Sequence, residues 1–234
     1  EALGDLSTAM GNNTTASGHY STAMGNNTIA SGDYSTAIGR STEALGDLST
    51  AMGNNTTASG NYSTAMGSST TASGIVSTAM GGSTVASGEN STSMGGSTTA
   101  SGIRSTAMGQ YTIASGNIST AMGQNTIASG NSSTSMGLGT TASGDFSTAM
   151  GKYNLTTNTL FVIGNGNGPS IRSDAFKVDS DGNVTASGTI SGSTFKGNGS
   201  ELTGLPTLKM FNYLKKENKT LRNELNALKA HLGL

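Results

Sequence analysis

The sequence predicts an all-β solenoid of 14-residue coils followed by a C-terminal α-helical coiled coil. Three observations predict it: a 14-residue repeat fills residues 1–151, the composition allows only a narrow interior, and a heptad pattern fills residues 208–234. Gly, Ser and Thr number 35 each among 234 residues, while hydrophobic residues are only 33% and aromatic residues 5%. Globular domains usually have about 45–50% apolar residues, so a compact enzyme domain is not expected.

The repeat unit reads S-T-A-M-G-x-x-T-x-A-S-G-x-x and begins at a Ser every 14 residues, from Ser7 to Ser147. Each unit holds two short alternating segments that both end in Gly, which indicates two strands and two turns per coil. Side chains alternate along a strand, so Ser and Ala share one face of the first strand, and Thr and Met share the other. Because only small side chains fit inside so narrow a roll, the Ser and Ala face is predicted to point inward.

A row of large apolar side chains is then left on the outside of the roll. Strand spacing stacks its members about 4.8 Å apart, and an exposed apolar stripe of this size normally marks an interface. The opposite outer face, through Thr15, is irregular and is predicted to face solvent, as are the last two positions of the unit. The predicted interface residues are Met10, Met24, Ile38, Met52, Met66, Met80, Met94, Met108, Met122, Met136 and Met150.

Residues 152–207 are predicted to form a β-rich connector, since the repeat stops at Lys152. Residues 176–184 read as two strands around an Asp-Gly turn. Asp179, Asp181 and Asn183 have the spacing of an abbreviated calcium loop but lack its final Glu, so a hairpin turn is the main interpretation and a calcium site the alternative. Residues 164–168 alternate Gly and Asn without the spacing of a phosphate-binding loop and are expected to be an ordinary loop.

Residues 208–234 have apolar residues at heptad spacing and six basic residues against two acidic ones. Glu217 and Glu224 at g positions match Arg222 and Lys229 at e positions of a neighbouring chain, which predicts a parallel coiled coil. An Asn at an a position favours a dimer and leaves the stoichiometry open from the heptads alone. The predicted core is Phe211, Leu214, Asn218, Leu221, Leu225, Leu228 and Leu232.

The S-T-A-M-G…A-S-G repeats resemble the head of trimeric autotransporter adhesins, the YadA-like head, and are similar to repeats in bacterial and viral trimeric fibres. The resemblance covers residues 1–151 and implies a left-handed parallel β-roll with three chains packed around an axis. Met stands where that family more often has Ile, Leu or Val. The segments L-F-V-I-G-N-G…D-G-N-V and F-K-G-N-G-S-E-L-T-G-L-P resemble connectors of phage-tail-fibre-like and bacterial surface fibres.

These features together predict a homotrimeric extracellular fibre, borne on a cell or a virion, that mediates attachment to a host, prey or surface. The expected partners are two identical chains and an unknown receptor, protein or glycan. A viral or phage tail-fibre segment is the main alternative, followed by an ice-binding solenoid and a passive spacer. Catalysis, a cofactor, a metal and nucleic-acid binding are not expected, because the chain has two His, no Cys and no long basic region. No apolar run reaches the roughly 18 residues of a membrane span.

Overall fold

A computed structural model describes residues 1–155, 159–191 and 208–232. It divides the chain into two compact units, residues 1–190 and 191–234. The first unit is a β-solenoid of about 11 turns, and its period matches the 14-residue coil predicted from the sequence. The second segment of the predicted connector, residues 192–207, lies outside the described residues, as do residues 156–158 and 233–234.

Each coil contributes one long and one short strand, and the two kinds form separate parallel sheets. The long strands are β1 Thr8–Asn12, β3 Thr22–Asn26, β5 Thr36–Arg40, β7 Thr50–Asn54, β9 Thr64–Ser68, β11 Thr78–Gly82, β13 Thr92–Gly96, β15 Thr106–Gln110, β17 Thr120–Gln124, β19 Thr134–Leu138 and β21 Thr148–Lys152. The short strands are β2 Thr15–Ala16, β4 Ile29–Ala30, β6 Glu43–Ala44, β8 Thr57–Ala58, β10 Thr71–Ala72, β12 Val85–Ala86, β14 Thr99–Ala100, β16 Ile113–Ala114, β18 Ile127–Ala128 and β20 Thr141–Ala142.

The interior of the roll is filled by Ala, Ser and Thr, as the alternation predicts. In the second full coil Ser21, Ala23, Thr28 and Ala30 are fully buried, and each pairs in register with its equivalent 14 residues away where it lies in a strand. The two sheets therefore face each other across a core one small side chain deep. Close packing of this kind leaves no room for a Leu or Met inside.

Glycines let successive coils approach closely enough to hydrogen-bond. Gly95 has φ +123°, and a Cβ built on it would lie 2.0 Å from the carbonyl oxygen of Gly109 in the next coil. Gly102 has ordinary φ, but its Cβ would lie equally close, 2.0 Å, to the carbonyl oxygen of Gly116. Both Gly rows are therefore required by the stacking of backbone on backbone.

The long sheet does not stop where the repeat stops. Strand β22, Thr159–Asn165, adds parallel to β21, with Ala149 paired to Val162 and Met150 to Ile163. Strands β23, Asp174–Asp179, and β24, Val184–Ala186, follow antiparallel as a hairpin. The change of sequence pattern at residue 152 is thus not a break between compact units, since the first unit extends to Ile190.

The short sheet ends differently, at the side chain of Asn154. Its Oδ1 accepts a hydrogen bond from the Thr141 N–H at 2.7 Å, and its Nδ2 donates to the Thr141 carbonyl at 2.9 Å. The buried amide thereby replaces the strand that a further coil would have supplied. Arg172 closes the same end by donating to the carbonyls of Gly139 and Asn154.

The second unit contains one described element, helix α1, Leu208–Leu232. The helix spans the predicted heptads, and the residues at 210–232 are all exposed on the single chain. Lys229 and His231 lie in its last turn, where the positive charge of Lys229 interacts favourably with the helix dipole.

Candidate functional site

The eleven predicted interface residues form one straight row on the outer face of the long sheet. Neighbours in the row pair in register, for example Met80 with Met94 and Met94 with Met108. We call this row, from Met10 to Met150, the Met stripe. Its members are half-buried by their own chain apart from Met10 in the first coil, which is 59% exposed. The stripe is thus a continuous apolar surface that one chain covers only in part.

The Met stripe continues by one strand beyond the repeat. Ile163 of β22 lies in register with Met150, and Phe161 lies in register with Thr148 of the neighbouring outward row. The ring of Phe161 in turn contacts that of Phe176 edge-on, with ring centroids 6.1 Å apart. This face therefore becomes more apolar where the roll meets its terminal hairpin.

The Ser and Thr hydroxyls inside the roll are sealed from solvent. In most coils the buried Ser and Thr hydroxyls have no hydrogen-bond partner among the described residues. Among the exceptions, Ser147 donates to the Gly144 carbonyl at 2.6 Å. In the two coils with Ser in place of the first-strand Ala, Ser93 and Thr98 lie 2.7 Å apart, and Ser135 and Thr140 lie 2.9 Å apart. A nucleophile needs both a base and access to substrate, and these buried hydroxyls have neither.

The acidic turn at residues 179–183 forms a hairpin connection. The carboxylate of Asp179 accepts hydrogen bonds from the Asp181 N–H and from the backbone and side-chain amides of Asn183. These bonds, led by the one from the Asn183 side chain, lower the pKa of Asp179. Within residues 1–155, 159–191 and 208–232 no three His, Asp or Glu side chains gather as metal ligands would.

Helix α1 carries the seven predicted core residues along its length. Six of them are large apolar side chains that are exposed on this chain, and Asn218 lies among them. An isolated helix in water gains little from its propensity alone, so an apolar seam of this kind is typical of a helix that packs against others. In the part of the chain that the structure describes, no helix is both long and apolar enough to cross a bilayer.

Two features of these surfaces were missed by the sequence reasoning. The strand residues F-V-I-G at 161–164 pair with T-A-M-G at 148–151. They follow those residues by 13 positions instead of 14, and their side chains are larger, so a search for the repeat does not find them. The last position of the repeat, expected to vary as a solvent face, instead carries mostly large apolar side chains at exposed corners. Tabulating that position alone would have revealed the second feature.

The chain matches one known family of repeats. The profile of the YadA head domain repeat, taken two copies at a time, matches residues 2–28, 16–42, 30–47, 44–70, 72–98, 100–126 and 128–154. No curated protein matches the chain closely enough to count as a relative. YadA head repeats and β-solenoids of this kind are structural and adhesive. Since the matched residues make up more than half of the sequence, the chain belongs to the YadA head repeat family.

Proposed function

We propose that this chain forms a homotrimeric surface fibre whose left-handed β-roll mediates attachment and whose helix forms a parallel coiled-coil stalk. The observation that carries the proposal is the Met stripe, which remains partly exposed on a roll that has no space to bury it. Burial of a Met side chain is worth about 1.5–3 kcal/mol. Ten Met residues in one line therefore give three chains a strong reason to associate along the whole head.

Family membership supports the same assembly. YadA-like adhesins are homotrimeric, and their heads belong to surface-exposed adhesins. In the proposed trimer the Met stripes of three chains face a common axis, while the outer face of the short sheet stays free. That outer face is irregular, with Thr57, Thr71 and Val85 in successive coils, so we assign it no role in assembly.

The oligomeric state tests the head directly. Sedimentation of the full chain is compared with that of a variant carrying Leu221→Asp and Leu228→Asp, in which the helix seam no longer assembles. We expect both to sediment as trimers, because the Met stripe alone supplies enough apolar surface. A monomeric helix variant would mean that the head does not trimerise by itself and would refute this part of the proposal.

The stalk is tested by cross-linking. In a parallel coil the d positions of neighbouring chains face each other at the same height, so Leu228→Cys should form a disulfide between chains under mild oxidation. Lys219→Cys, on the outer surface of the proposed coil, is the matched control and should react little. Equal yields from the two variants would contradict the parallel seam.

Attachment requires that the fibre stand on a surface. Immunogold labelling with an antibody against the repeats should decorate the outside of the cell or virion that bears the chain. Labelling confined to the cell interior would contradict an extracellular fibre. Labelling of virions instead of cells would favour the tail-fibre alternative.

A further inference from the structure

Each coil places one residue of each of its two corners in the left-handed backbone region. At the corner after the long strand, this position holds mostly Asn or Ser, such as Asn13 and Asn27, with φ 52° and 53°. These short polar residues tolerate the conformation. At the corner before the long strand, the same conformation is adopted mainly by large apolar residues, namely Leu6, Tyr20, Tyr34, Leu48, Tyr62, Val76, Ile118 and Phe146.

The left-handed conformation at the corner before the long strand is unfavourable for these large apolar residues, and their own chain does not bury them. A bulky side chain in the left-handed region is strained, yet Tyr34 and Tyr62 are each 58% exposed and Leu6 is 76% exposed. Asn13, Asn27, Asn55 and Asn125 at the other corner, and Asn90 at this one, show that this fold accepts Asn in the same conformation. Large apolar residues at this corner therefore indicate contact with something outside the chain.

In the first five coils this apolar row runs beside a polar one. The residue just before the left-handed position is Asp5, His19, Asp33, Asp47 or Asn61 in successive coils. Side chains in this polar row accept hydrogen bonds from the backbone of the preceding coil and so form a ladder. Asp33 Oδ1 accepts from the His19 N–H at 2.8 Å, and Asp47 Oδ1 accepts from the Asp33 N–H at 3.0 Å. We call residues 5–6, 19–20, 33–34, 47–48 and 61–62 together the acidic ridge.

The carboxylates of Asp33 and Asp47 are held in place, and each keeps an acceptor to spare. The Asp5 carboxylate instead lies 3.4 Å from Nδ1 of His19. Among the described residues no donor hydrogen-bonds to Oδ2 of Asp33 or Asp47. The rings beside them are ordered as well, since Tyr20 and Tyr34 stack with centroids 4.8 Å apart and planes 4° apart. Preorganised groups of this kind lose little freedom on binding.

The charge of this region selects the partner. The ridge carries three carboxylates, those of Asp5, Asp33 and Asp47, and no Lys or Arg. We propose that the acidic ridge binds a linear basic polypeptide segment, whose Lys or Arg stems lie over the apolar row while their charged ends reach the free carboxylate oxygens. Long basic side chains pair an apolar stem with a charged end, and Arg binds carboxylates with particular strength. The inference rests on the proposed role in attachment and names its partner.

The test uses the full chain and a fluorescent peptide of alternating Arg and Ser, with a peptide of alternating Glu and Ser as the control ligand. Fluorescence anisotropy at low salt should detect binding of the Arg peptide alone, and added salt should weaken it. Asp33→Asn with Asp47→Asn keeps the Oδ1 ladder, as Asn61 does, but removes both charges. This double variant should lose affinity by about ten-fold or more.

A second pair of variants tests the apolar row. The double variant Tyr20→Asn, Tyr34→Asn should also reduce affinity for the Arg peptide, and it should fold because Asn tolerates the left-handed conformation. Ile118→Asn, in the same row but outside the ridge, should leave the affinity unchanged. Sedimentation accompanies every measurement. Equal binding of both peptides, salt-insensitive binding, or unchanged affinity in either double variant overturns the inference.

The same experiments distinguish failure of the acidic ridge from failure of the fibre proposal. A chain that stays trimeric but does not bind the Arg peptide refutes the ridge and leaves the fibre intact. If Tyr20→Asn with Tyr34→Asn dissociates the trimer, the ridge is a contact between chains and not a receptor site.

Discussion

Carboxylates placed on the Met stripe should prevent the head from assembling. The sharpest variant carries Met80→Asp, Met94→Asp and Met108→Asp, which replace three in-register neighbours. In a trimer these substitutions set nine carboxylates near one axis. Each buried charge without a partner costs several kcal/mol, so association should be lost.

The magnitude follows from the exposure of the stripe. Its Met side chains beyond the first coil are already mostly buried on one chain, so assembly buries about a third of each or less and gains about 0.5–1 kcal/mol per residue. Ten of them contribute about 5–10 kcal/mol per chain, against an association cost of about 4–15 kcal/mol. A surplus this small does not survive the loss of three contacts and the burial of nine charges.

The matched control is Thr71→Asp, Val85→Asp and Thr99→Asp on the outer face of the short sheet. These residues are also partly buried and also pair in register, so both variants have the same repulsion within one chain. Analytical ultracentrifugation is carried out in the background of the disrupted helix seam, so that the stalk does not mask dissociation. If the Met variant stays trimeric while the control falls apart, the reasoning about the stripe is refuted.

Three further predictions concern single positions. Gly95→Ala should unfold the coil around it, whereas Gly96→Ala, whose Cβ meets nothing nearer than 3.9 Å, should leave the melting temperature unchanged in circular dichroism. Ser93→Ala should destabilise the head by about 1 kcal/mol in urea unfolding, since it removes the hydrogen-bond partner that the described residues give the buried Thr98 hydroxyl; unchanged stability would mean that this bond contributes nothing to stability. The pKa of Asp179 is lower folded than unfolded, so its stabilisation of the hairpin is present at neutral pH and is lost as the pH falls through the folded pKa. The protection factors of the hairpin amides, that is, their exchange relative to an unfolded chain at the same pH, should therefore fall in acid, and Asp179→Ala should abolish that change.

The regular part of the fold was predictable because its physics repeats. A period of 14 with alternating small residues leaves only one way to bury Ala23 and Ala30 while keeping Met24 outside, and the structure has that arrangement. The heptads likewise predicted the extent of helix α1. In both cases each coil or turn repeats the same local constraint, so the pattern itself carries the information.

The end of the roll was not predictable in the same way. Val162 occupies the position of a small interior Ala, which is possible because no identical coil follows it. Asn154 hydrogen-bonds the backbone of Thr141 through its side chain, at a position where the other coils form backbone-to-backbone hydrogen bonds. Such substitutions depend on which neighbour is missing, and a search for the repeating unit does not detect them.

The stacking of Gly on Gly and Ala on Ala has a consequence for how such a chain changes length. Every coil presents the same contacts above and below, so removing or adding a whole repeat restores both junctions without altering either. Residues 1–18 and 43–60 are identical, as expected when near-identical stretches of a gene recombine with each other. The distance between the ends of the head is therefore an inherited quantity that evolves in steps of about 4.8 Å per coil, while its lateral contacts stay constant.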